Sequence, residues 1–130
     1  PRQNDAYAGV ISKFMDRLNE NKSPIIFGNG KQTRDFIHVD DVVRAFYLAL
    51  GYKKKKFNVF NLATGKSTPV NELAKIFISA TRKFDLKPIH KKSISGVVIH
   101  SSTNPNKIKE DLHFTSKILL KDGIEKFVNQ

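Results

Sequence analysis

The chain has 130 residues, which fits a single domain, residues 1–130, with a modest core. It carries a formal net charge of +11 and no cysteine, which excludes a disulfide scaffold and every thiolate metal site. No apolar run approaches the roughly 18 residues that a membrane span requires, and the N-terminus has no signal-peptide pattern. We therefore expect a soluble, cytoplasmic protein without a membrane partner.

Apolar residues recur with helical spacing between Tyr7 and Leu18, and Asp5 is in position to cap this first helix. The next apolar segment, Ile25–Phe27, predicts a short strand. Gly28-Asn29-Gly30 then predicts a turn, because glycine and asparagine tolerate the positive φ of a tight reversal.

A second strand and a second helix follow the turn. Residues Arg34–Val39 alternate charged, apolar and polar side chains, as a half-buried strand does. Asp40 is predicted to be the N-cap of a helix, with Asp41 adding negative charge to its first turn. That helix ends at Gly51, and its apolar residues are Val42, Val43, Phe46, Tyr47 and Leu50.

Arg34 is a candidate ligand-binding residue, since a guanidinium offers a rigid fork of donors suited to phosphate or carboxylate. The alternative from spacing alone is a surface ion pair with Asp35 or Asp16.

The second half of the chain predicts two more strands and three more helices. In chain order these are a strand at Phe57–Leu62, a helix opened by Thr68-Pro69 and ending near Lys83, a strand at Lys87–Lys91, a polar loop at Ser93–Thr103, a short helix from Asn104-Pro105 to about Leu112, and a last helix from near Leu119 to Val128. Together with the first half, this gives a mixed α+β fold of about five helices and four short strands. Thr64–Ser67 resembles part of a phosphate loop, but Phe60 stands where the first glycine is required, so we reject a P-loop.

Several other functions are excluded by pattern. The four histidines, His38, His90, His100 and His113, lie in separate segments without metal-ligand spacing, so we expect no metal site. No serine lies in an elbow motif, which leaves hydrolase chemistry without a nucleophile. The lysine run 53–56 lacks interleaved aromatic residues and any recognised module, so we expect no specific nucleic-acid binding.

A longer pattern identifies a family. The stretch from Gly28 to Ala45, GNGKQTRDFIHVDDVVRA, resembles the GDGxQTRDFxxVxDVxxA stretch of NAD-dependent nucleotide-sugar epimerases and dehydratases. These are the extended short-chain dehydrogenases, typified by UDP-glucose 4-epimerase. Residues Phe57–Lys66 are similar to the family's VFNxGTGxS segment, and Pro1–Asn4 to the end of its YGPRQN motif. The resemblance runs without gaps over nearly the whole chain.

The resemblance implies that this chain is the small C-terminal, substrate-binding part of such an enzyme, without its N-terminal Rossmann lobe. That missing lobe would bind NAD through a GxxGxxG loop and would supply a Tyr-xxx-Lys pair. Tyr52 and Lys56 have the spacing of the pair, but they lie in the lysine run after a helix. We therefore expect no catalytic and no cofactor-binding residue here, and we do not expect the chain alone to be catalytic.

The same resemblance implies a set of substrate contacts. An arginine at position 34 would hold the diphosphate of a nucleotide sugar, a UDP-sugar foremost, and an apolar pair would line the nucleobase pocket. Other residues would complete the wall or lie over the phosphate or ribose. The implied substrate-binding residues are Arg34, Phe27, Ile25, Gln32, Phe36, Val70 and Val10.

One segment departs from the family pattern. Members read RxGDxxHSxAD before the penultimate helix, whereas this chain has Ile94 in place of the arginine and Val97 in place of the aspartate. A hydrogen bond to a charged group contributes about 1.5–3 kcal/mol net, so losing two could weaken nucleotide binding by orders of magnitude. His113 also replaces the usual glycine of an LGF turn.

The sequence thus predicts the nucleotide-sugar-binding part of an NAD-dependent sugar epimerase. In the whole enzyme, the sugar would be oxidised at C4, would rotate as a keto intermediate and would be reduced again. One alternative is a non-catalytic binding module of the same fold, favoured by Ile94 and Val97, and another is part of a 4,6-dehydratase. Without the Rossmann lobe an apolar face would lack its partner, so we expect a homo-oligomer.

Overall fold

The structure, a computed structural model, describes residues 9–53, 57–96 and 98–129. The predicted helix start at Asp5 and Tyr7, part of the lysine run, and Val97 lie outside these residues. The elements, in chain order, are α1 Val10–Asn19, β1 Ile25–Phe27, β2 Thr33–Asp35, α2 Val39–Leu50, β3 Ser67–Pro69, α3 Val70–Ala80, β4 Ile89–Lys91, β5 His100–Ser101, α4 Asn106–Leu112 and α5 Leu120–Val128. The predicted mixed α+β class with five helices is confirmed.

The strands form two small sheets. Strand β1 pairs in parallel with β4, from Ile25 opposite Ile89 to Phe27 opposite Lys91. In the other sheet the central strand β2 is antiparallel to β3 and parallel to β5. Both sheets therefore join the first half of the described chain to the second.

The main core lies where α1, α3 and α5 pack over β1. An edge-to-face pair anchors it, with the ring centroids of Phe14 and Phe77 6.1 Å apart. The buried residues of this cluster are Phe14, Leu18, Ile26, Val70, Leu73, Ala74, Phe77 and Ile124. A second cluster between α2 and α4 contains Ala45, Ile108, Leu112 and Phe114.

Two predicted helix starts are wrong in detail. The N-cap of α2 is His38, not Asp40, because the His38 imidazole Nδ1 accepts the Asp40 amide at 3.1 Å. Pro69 is the N-cap of α3 rather than its first helical residue, because Thr68 is held in β3 opposite Arg34. Helix α3 also ends at Ala80, before Lys83, where Arg82 takes a left-handed φ of 55°.

The strand predicted at Phe57–Leu62 is not formed, whereas a two-residue strand, β5, lies inside the segment predicted to be a loop. A strand needs a neighbour that offers its own backbone groups, and no strand in the described part of the chain pairs with residues 57–62. Phe57 and Val59 are correspondingly exposed. Segment 100–101 forms a strand because β2 supplies that neighbour.

A buried carboxylate, Asp41, joins α2 to the segment before α5. Its oxygens accept the backbone amides of Lys117 and Ile118 at 3.0–3.1 Å and the Arg44 guanidinium at 2.7 Å. The same guanidinium donates to the Thr115 carbonyl and lies 4.6 Å from the centre of the Phe114 ring. The Arg44–Phe114 contact therefore connects this carboxylate to the second core cluster, which contains Phe114.

Burial alone would raise the pKa of Asp41, but the Ile118 amide, Arg44 and the Lys117 amide together hold that pKa below its usual value. The folded-state pKa is thus lower than that of the unfolded chain. The stabilisation is therefore complete above an unfolded-state pKa of about 3.9. It is lost as the pH falls through the lower, folded-state value.

We predict that Asp41→Ala lowers the free energy of unfolding by about 3 kcal/mol at pH 7, because two buried amides and a guanidinium lose their acceptor. Urea denaturation measures this change. Asp40→Ala is the matched control, since the Asp40 carboxylate is exposed. A control loss as large as that of Asp41→Ala would contradict the role given to the buried carboxylate.

One side of α2 carries apolar side chains that the described chain leaves uncovered. We call it the α2 apolar face; its members, each more than 60% exposed, are Val39, Val43, Phe46, Tyr47 and Leu50. Monomeric soluble proteins rarely expose a contiguous apolar patch of this kind without an interaction partner. No helix in the described ranges is long and apolar enough to cross a membrane.

We predict that the isolated 130-residue chain self-associates through the α2 apolar face. Sedimentation velocity over a wide concentration range should show dimers or larger species, and the double variant Phe46→Lys, Leu50→Lys should shift them to monomer. Leu119→Lys changes an exposed leucine elsewhere and should leave the distribution unchanged. A monomer at every concentration in the unmodified chain would contradict the prediction.

Candidate functional site

The turn between β1 and β2 is the first part of the site. Gly28 and Gly30 take positive φ angles of 83° and 72°, as the sequence predicted for a tight reversal. The Asn71 side chain lies directly against Gly30, where an added Cβ would come within 1.9 Å of its amide oxygen. Asn71 also donates its backbone amide to Gly30 and its side-chain amide to the Asn29 carbonyl, at 3.0 and 2.9 Å. The N-terminus of α3 thereby fixes the turn.

Gln32 connects the two ends of this turn. Its side-chain amide donates to the Phe27 carbonyl at 3.0 Å, and its own carbonyl accepts the Val70 amide at 3.0 Å. The end of β1, the start of β2 and the start of α3 are therefore held at one place.

Arg34 lies in the central strand of the three-stranded sheet, between Thr68 and Ser101. It is half-buried, and its guanidinium donates to the Thr33 carbonyl at 2.7 Å. Within the described residues it forms no ion pair, with either Asp35 or Asp16. Most donors of this guanidinium thus remain available to a ligand.

The Asp35 carboxylate has a different role. It accepts the Thr64 amide at 3.0 Å, the Thr64 hydroxyl at 2.6 Å and the Gly65 amide at 2.8 Å. These are the amides that a phosphate loop would direct at its ligand. Here an acidic side chain of the protein already fills that position, which is the physical reason why Thr64–Ser67 is not a phosphate site.

The other predicted site residues are placed unevenly. Ile25 is half-buried, and Phe27, two residues along the same strand, lies on the same side and is exposed. Val10 is the first residue of α1, and both it and Phe36 pack against the main core. Val70 is 6% exposed and belongs to that core. Val70 therefore donates its backbone amide to the Gln32 carbonyl, and its side chain packs in the core instead of lining the site.

Sequence reasoning missed three residues that shape the site. One is Asn71. His90 donates from Nδ1 to the Gly28 carbonyl at 2.8 Å, and His100 Nδ1 lies 3.1 Å from the Thr33 hydroxyl. Each lies more than 40 residues from its partner, so spacing along the sequence carries no signal of these contacts. Among the described residues, no group of three or more His, Cys, Asp or Glu side chains could hold a metal ion.

The segment between β4 and β5 carries the departure from the family pattern. Ile94 is 53% exposed, so an apolar side chain lies at the surface where the resemblance implies a phosphate-binding arginine. The second departure, Val97, lies outside the described residues. His113 takes a left-handed φ of 52° at the end of α4, the conformation that glycine usually adopts there.

The geometry combines a half-buried arginine, which has no ion-pair partner among the described residues, with a glycine turn on a small α+β unit. The family model for the NAD dependent epimerase/dehydratase family matches residues 1–63. A putative UDP-glucose 4-epimerase of Methanocaldococcus jannaschii is 43% identical over 94% of this chain and 38% of its own length. UDP-glucose 4-epimerase of Mycolicibacterium smegmatis is 33% identical over 98% of this chain and 41% of its own length.

The solved structures agree with these relatives. UDP-glucose 4-epimerase of Thermotoga maritima, solved with UDP-glucose, is 38% identical with a TM-score of 0.88 over 99% of this chain and 41% of that one. UDP-glucuronic acid 4-epimerase of Bacillus cereus, in complex with UDP-glucuronic acid and NAD, is 26% identical with a TM-score of 0.80 over 100% of this chain and 42% of that one. The chain belongs to the NAD-dependent epimerase/dehydratase family, and it corresponds to the C-terminal part of these enzymes. It spans about two fifths of their length.

We predict that Gly30→Ala destabilises the fold by about 3 kcal/mol. The added Cβ would overlap the Asn71 side chain, and alanine is also strained at the positive φ of this position. Gly96→Ala is the control, since Gly96 also has a positive φ but, chain neighbours aside, no described residue lies within 4 Å of its added Cβ. That control should lose only about 1 kcal/mol. Adding Asn71→Ala to Gly30→Ala should recover part of the difference in urea denaturation, and equal losses at the two glycines would contradict the packing argument.

Proposed function

We propose that these residues form the nucleotide-sugar-binding part of an NAD-dependent nucleotide-sugar epimerase, one that acts on a UDP-sugar in the manner of UDP-glucose 4-epimerase. The observation that carries the proposal is Arg34: a half-buried guanidinium without a carboxylate partner among the described residues, held beside a rigid turn. The similarity to UDP-glucose 4-epimerases supports the choice of substrate.

In this proposal Arg34 binds the diphosphate. A guanidinium forms paired, charge-assisted hydrogen bonds with phosphate oxygens, which neutral donors cannot match. The adjoining sequence favours an anion too, since residues 21–34 contain no Asp or Glu. The Asp35 carboxylate, directly after Arg34, accepts from Thr64 and Gly65, and it forms no ion pair with the guanidinium.

The edge of β1 receives the nucleobase in this proposal. Ile25 and Phe27 offer apolar surface on the same side of the strand, and a base can stack against such a surface. Gln32 donates a hydrogen bond to the Phe27 carbonyl and so fixes its position. Phe36 and Val10, which are partly buried against the main core, complete the wall of the nucleobase pocket. Val70 acts through its amide.

The cofactor lies on another part of the enzyme in this proposal, because the 130 residues contain no glycine-rich dinucleotide loop. NAD would supply the hydride transfer. The α2 apolar face, with the uncovered segment Phe57–Leu62, is where we expect the NAD-binding lobe to pack. The residues of this chain bind and orient the nucleotide end of the substrate, and the chain alone is not expected to catalyse.

A second candidate is favoured by one observation. Ile94 is exposed where the resemblance implies an arginine, so the clamp on the nucleotide is weaker than in an ordinary member. A non-catalytic module of the same fold would keep Arg34 and lose activity. A dehydratase is a third reading, since human dTDP-D-glucose 4,6-dehydratase is 38% identical over 57% of this chain.

We predict that the native polypeptide carrying this sequence binds UDP saturably in isothermal titration and that Arg34→Ala weakens the binding at least about tenfold, since a hydrogen bond to a charged group contributes about 1.5–3 kcal/mol. Arg34→Lys should recover part of the affinity, because the charge returns without the planar fork. Lys75→Ala, which removes an exposed charge from α3, is the control.

No binding at millimolar UDP, or equal binding by Arg34→Ala, would contradict the proposed site. Interconversion of UDP-glucose and UDP-galactose by the native polypeptide with NAD would support the epimerase. UDP binding without any turnover of sugar nucleotides would favour the non-catalytic module instead.

A further inference from the structure

A set of exposed apolar side chains lies on the β1–β4 pair and on the segment that follows β4. We call it the apolar rim; its side chains are 39–65% exposed, and they are Phe27, Ile89, Ile94, Val98 and Ile99. Phe27 and Ile89 belong to the β1–β4 pair, and the other three to the segment that follows β4. The core uses none of these side chains.

Backbone contacts hold the segment after β4 beside the turn. The Gly28 amide donates to the Lys91 carbonyl at 2.9 Å, and the Cβ of Ser93 lies 3.4 Å from the position of a Cβ on Gly28. At the other end the Thr33 amide donates to the Ile99 carbonyl at 2.8 Å. Arg34 directly follows Thr33 and is paired with Ser101, so the β2 backbone at this arginine adjoins the segment that carries the rim.

The two chain segments that carry the apolar rim contain charges of one sign. No Asp or Glu occurs in residues 21–34 or in residues 86–109. The first of these ranges supplies Lys31 and Arg34, and the second supplies Lys87, Lys91 and Lys92. An apolar strip bordered by cations, without a carboxylate along these two ranges, complements an amphiphilic anion.

The chemistry of the rim suits one kind of ligand tail. A ribonucleoside carries hydroxyls and base edges that need hydrogen-bond partners. The exposed side chains of Ile94, Val98 and Ile99 offer none, but they gain free energy by covering a hydrocarbon chain.

We infer that, besides nucleotide sugars, this site takes diphosphate sugars whose other end is an apolar chain, the polyprenyl diphosphate class. The inference rests on the proposed function, since Arg34 holds the diphosphate in both ligands. The sugar is presented in the same way, and the apolar chain lies on the rim instead of a nucleoside.

The test compares farnesyl diphosphate with isopentenyl diphosphate, which share the anionic group and differ in hydrocarbon length. We expect the native polypeptide to bind farnesyl diphosphate, below its micelle concentration, at least about tenfold more tightly than isopentenyl diphosphate. Burial of about two methylene groups against the rim is enough for a tenfold difference in affinity. Farnesyl diphosphate should also displace UDP, and Arg34→Ala should weaken the binding of all three ligands.

A paired variant locates the tail. Ile94→Ser with Val98→Ser should reduce the farnesyl-to-isopentenyl affinity ratio severalfold, and the control Leu119→Ser, at an exposed leucine outside the rim, should leave the ratio unchanged. Both rim positions are exposed, so the fold should persist, and circular dichroism checks this.

Equal affinities for the two prenyl diphosphates would overturn the inference, as would binding of farnesyl diphosphate that Arg34→Ala leaves unchanged. Binding to phosphatidylglycerol vesicles as tight as that to farnesyl diphosphate would also overturn it, by identifying a membrane surface instead. These failures differ from that of the proposed function: if UDP binds through Arg34 but the longer chain gains nothing, only the further inference falls. If Arg34→Ala leaves UDP binding intact, both fall.

Discussion

The three residues of β2 hold the molecule together. The strand pairs with β3 on one side and β5 on the other, so it joins segments that lie more than 30 residues away along the chain. Asp35 ties the turn at Thr64 and Gly65 to the strand through three hydrogen bonds. The backbone of Arg34 lies between those contacts and is paired on both sides. The strand fixes the Arg34 backbone and the Thr33 carbonyl accepts from the guanidinium, so this side chain has less freedom to lose on binding an anion.

Arg34 and Asp35, which are adjacent in β2, have different hydrogen-bond partners. Arg34 and Asp35 are successive residues of an extended strand, so their side chains point to opposite faces of the sheet. Here the Asp35 carboxylate accepts from two backbone amides and a hydroxyl, and the Arg34 guanidinium donates to the Thr33 carbonyl. The cost of partly burying a cation is limited because Arg34 is only half-buried. The positive charge of Arg34 is therefore not paired with the carboxylate that follows it in the sequence.

The helices and the main site arginine follow from local patterns. Periodicity and turn chemistry predicted five helices, the glycine turn and the strands at Ile25 and Ile89, because these signals depend on neighbouring residues. Cap positions failed where a distant strand intervened: Thr68 would cap α3, but pairing with Arg34 holds it in β3. The strand predicted at Phe57–Leu62 failed for the opposite reason, since its side chains suit a strand but the described chain has no partner for it.

The sequence by itself determined the family, the helical faces and the candidate role of Arg34, because a motif and a period of 3.6 residues are written in neighbouring letters. Only the tertiary structure decided that the Asp35 carboxylate bonds to Thr64 and Gly65 rather than to Arg34, and that the Asn71 side chain lies against Gly30. It also decided that His90 donates to the Gly28 carbonyl and that His100 contacts the Thr33 hydroxyl. It also put Val70 in the core. These are contacts between residues 29 to 67 positions apart, and they depend on how the sheets close rather than on any local pattern.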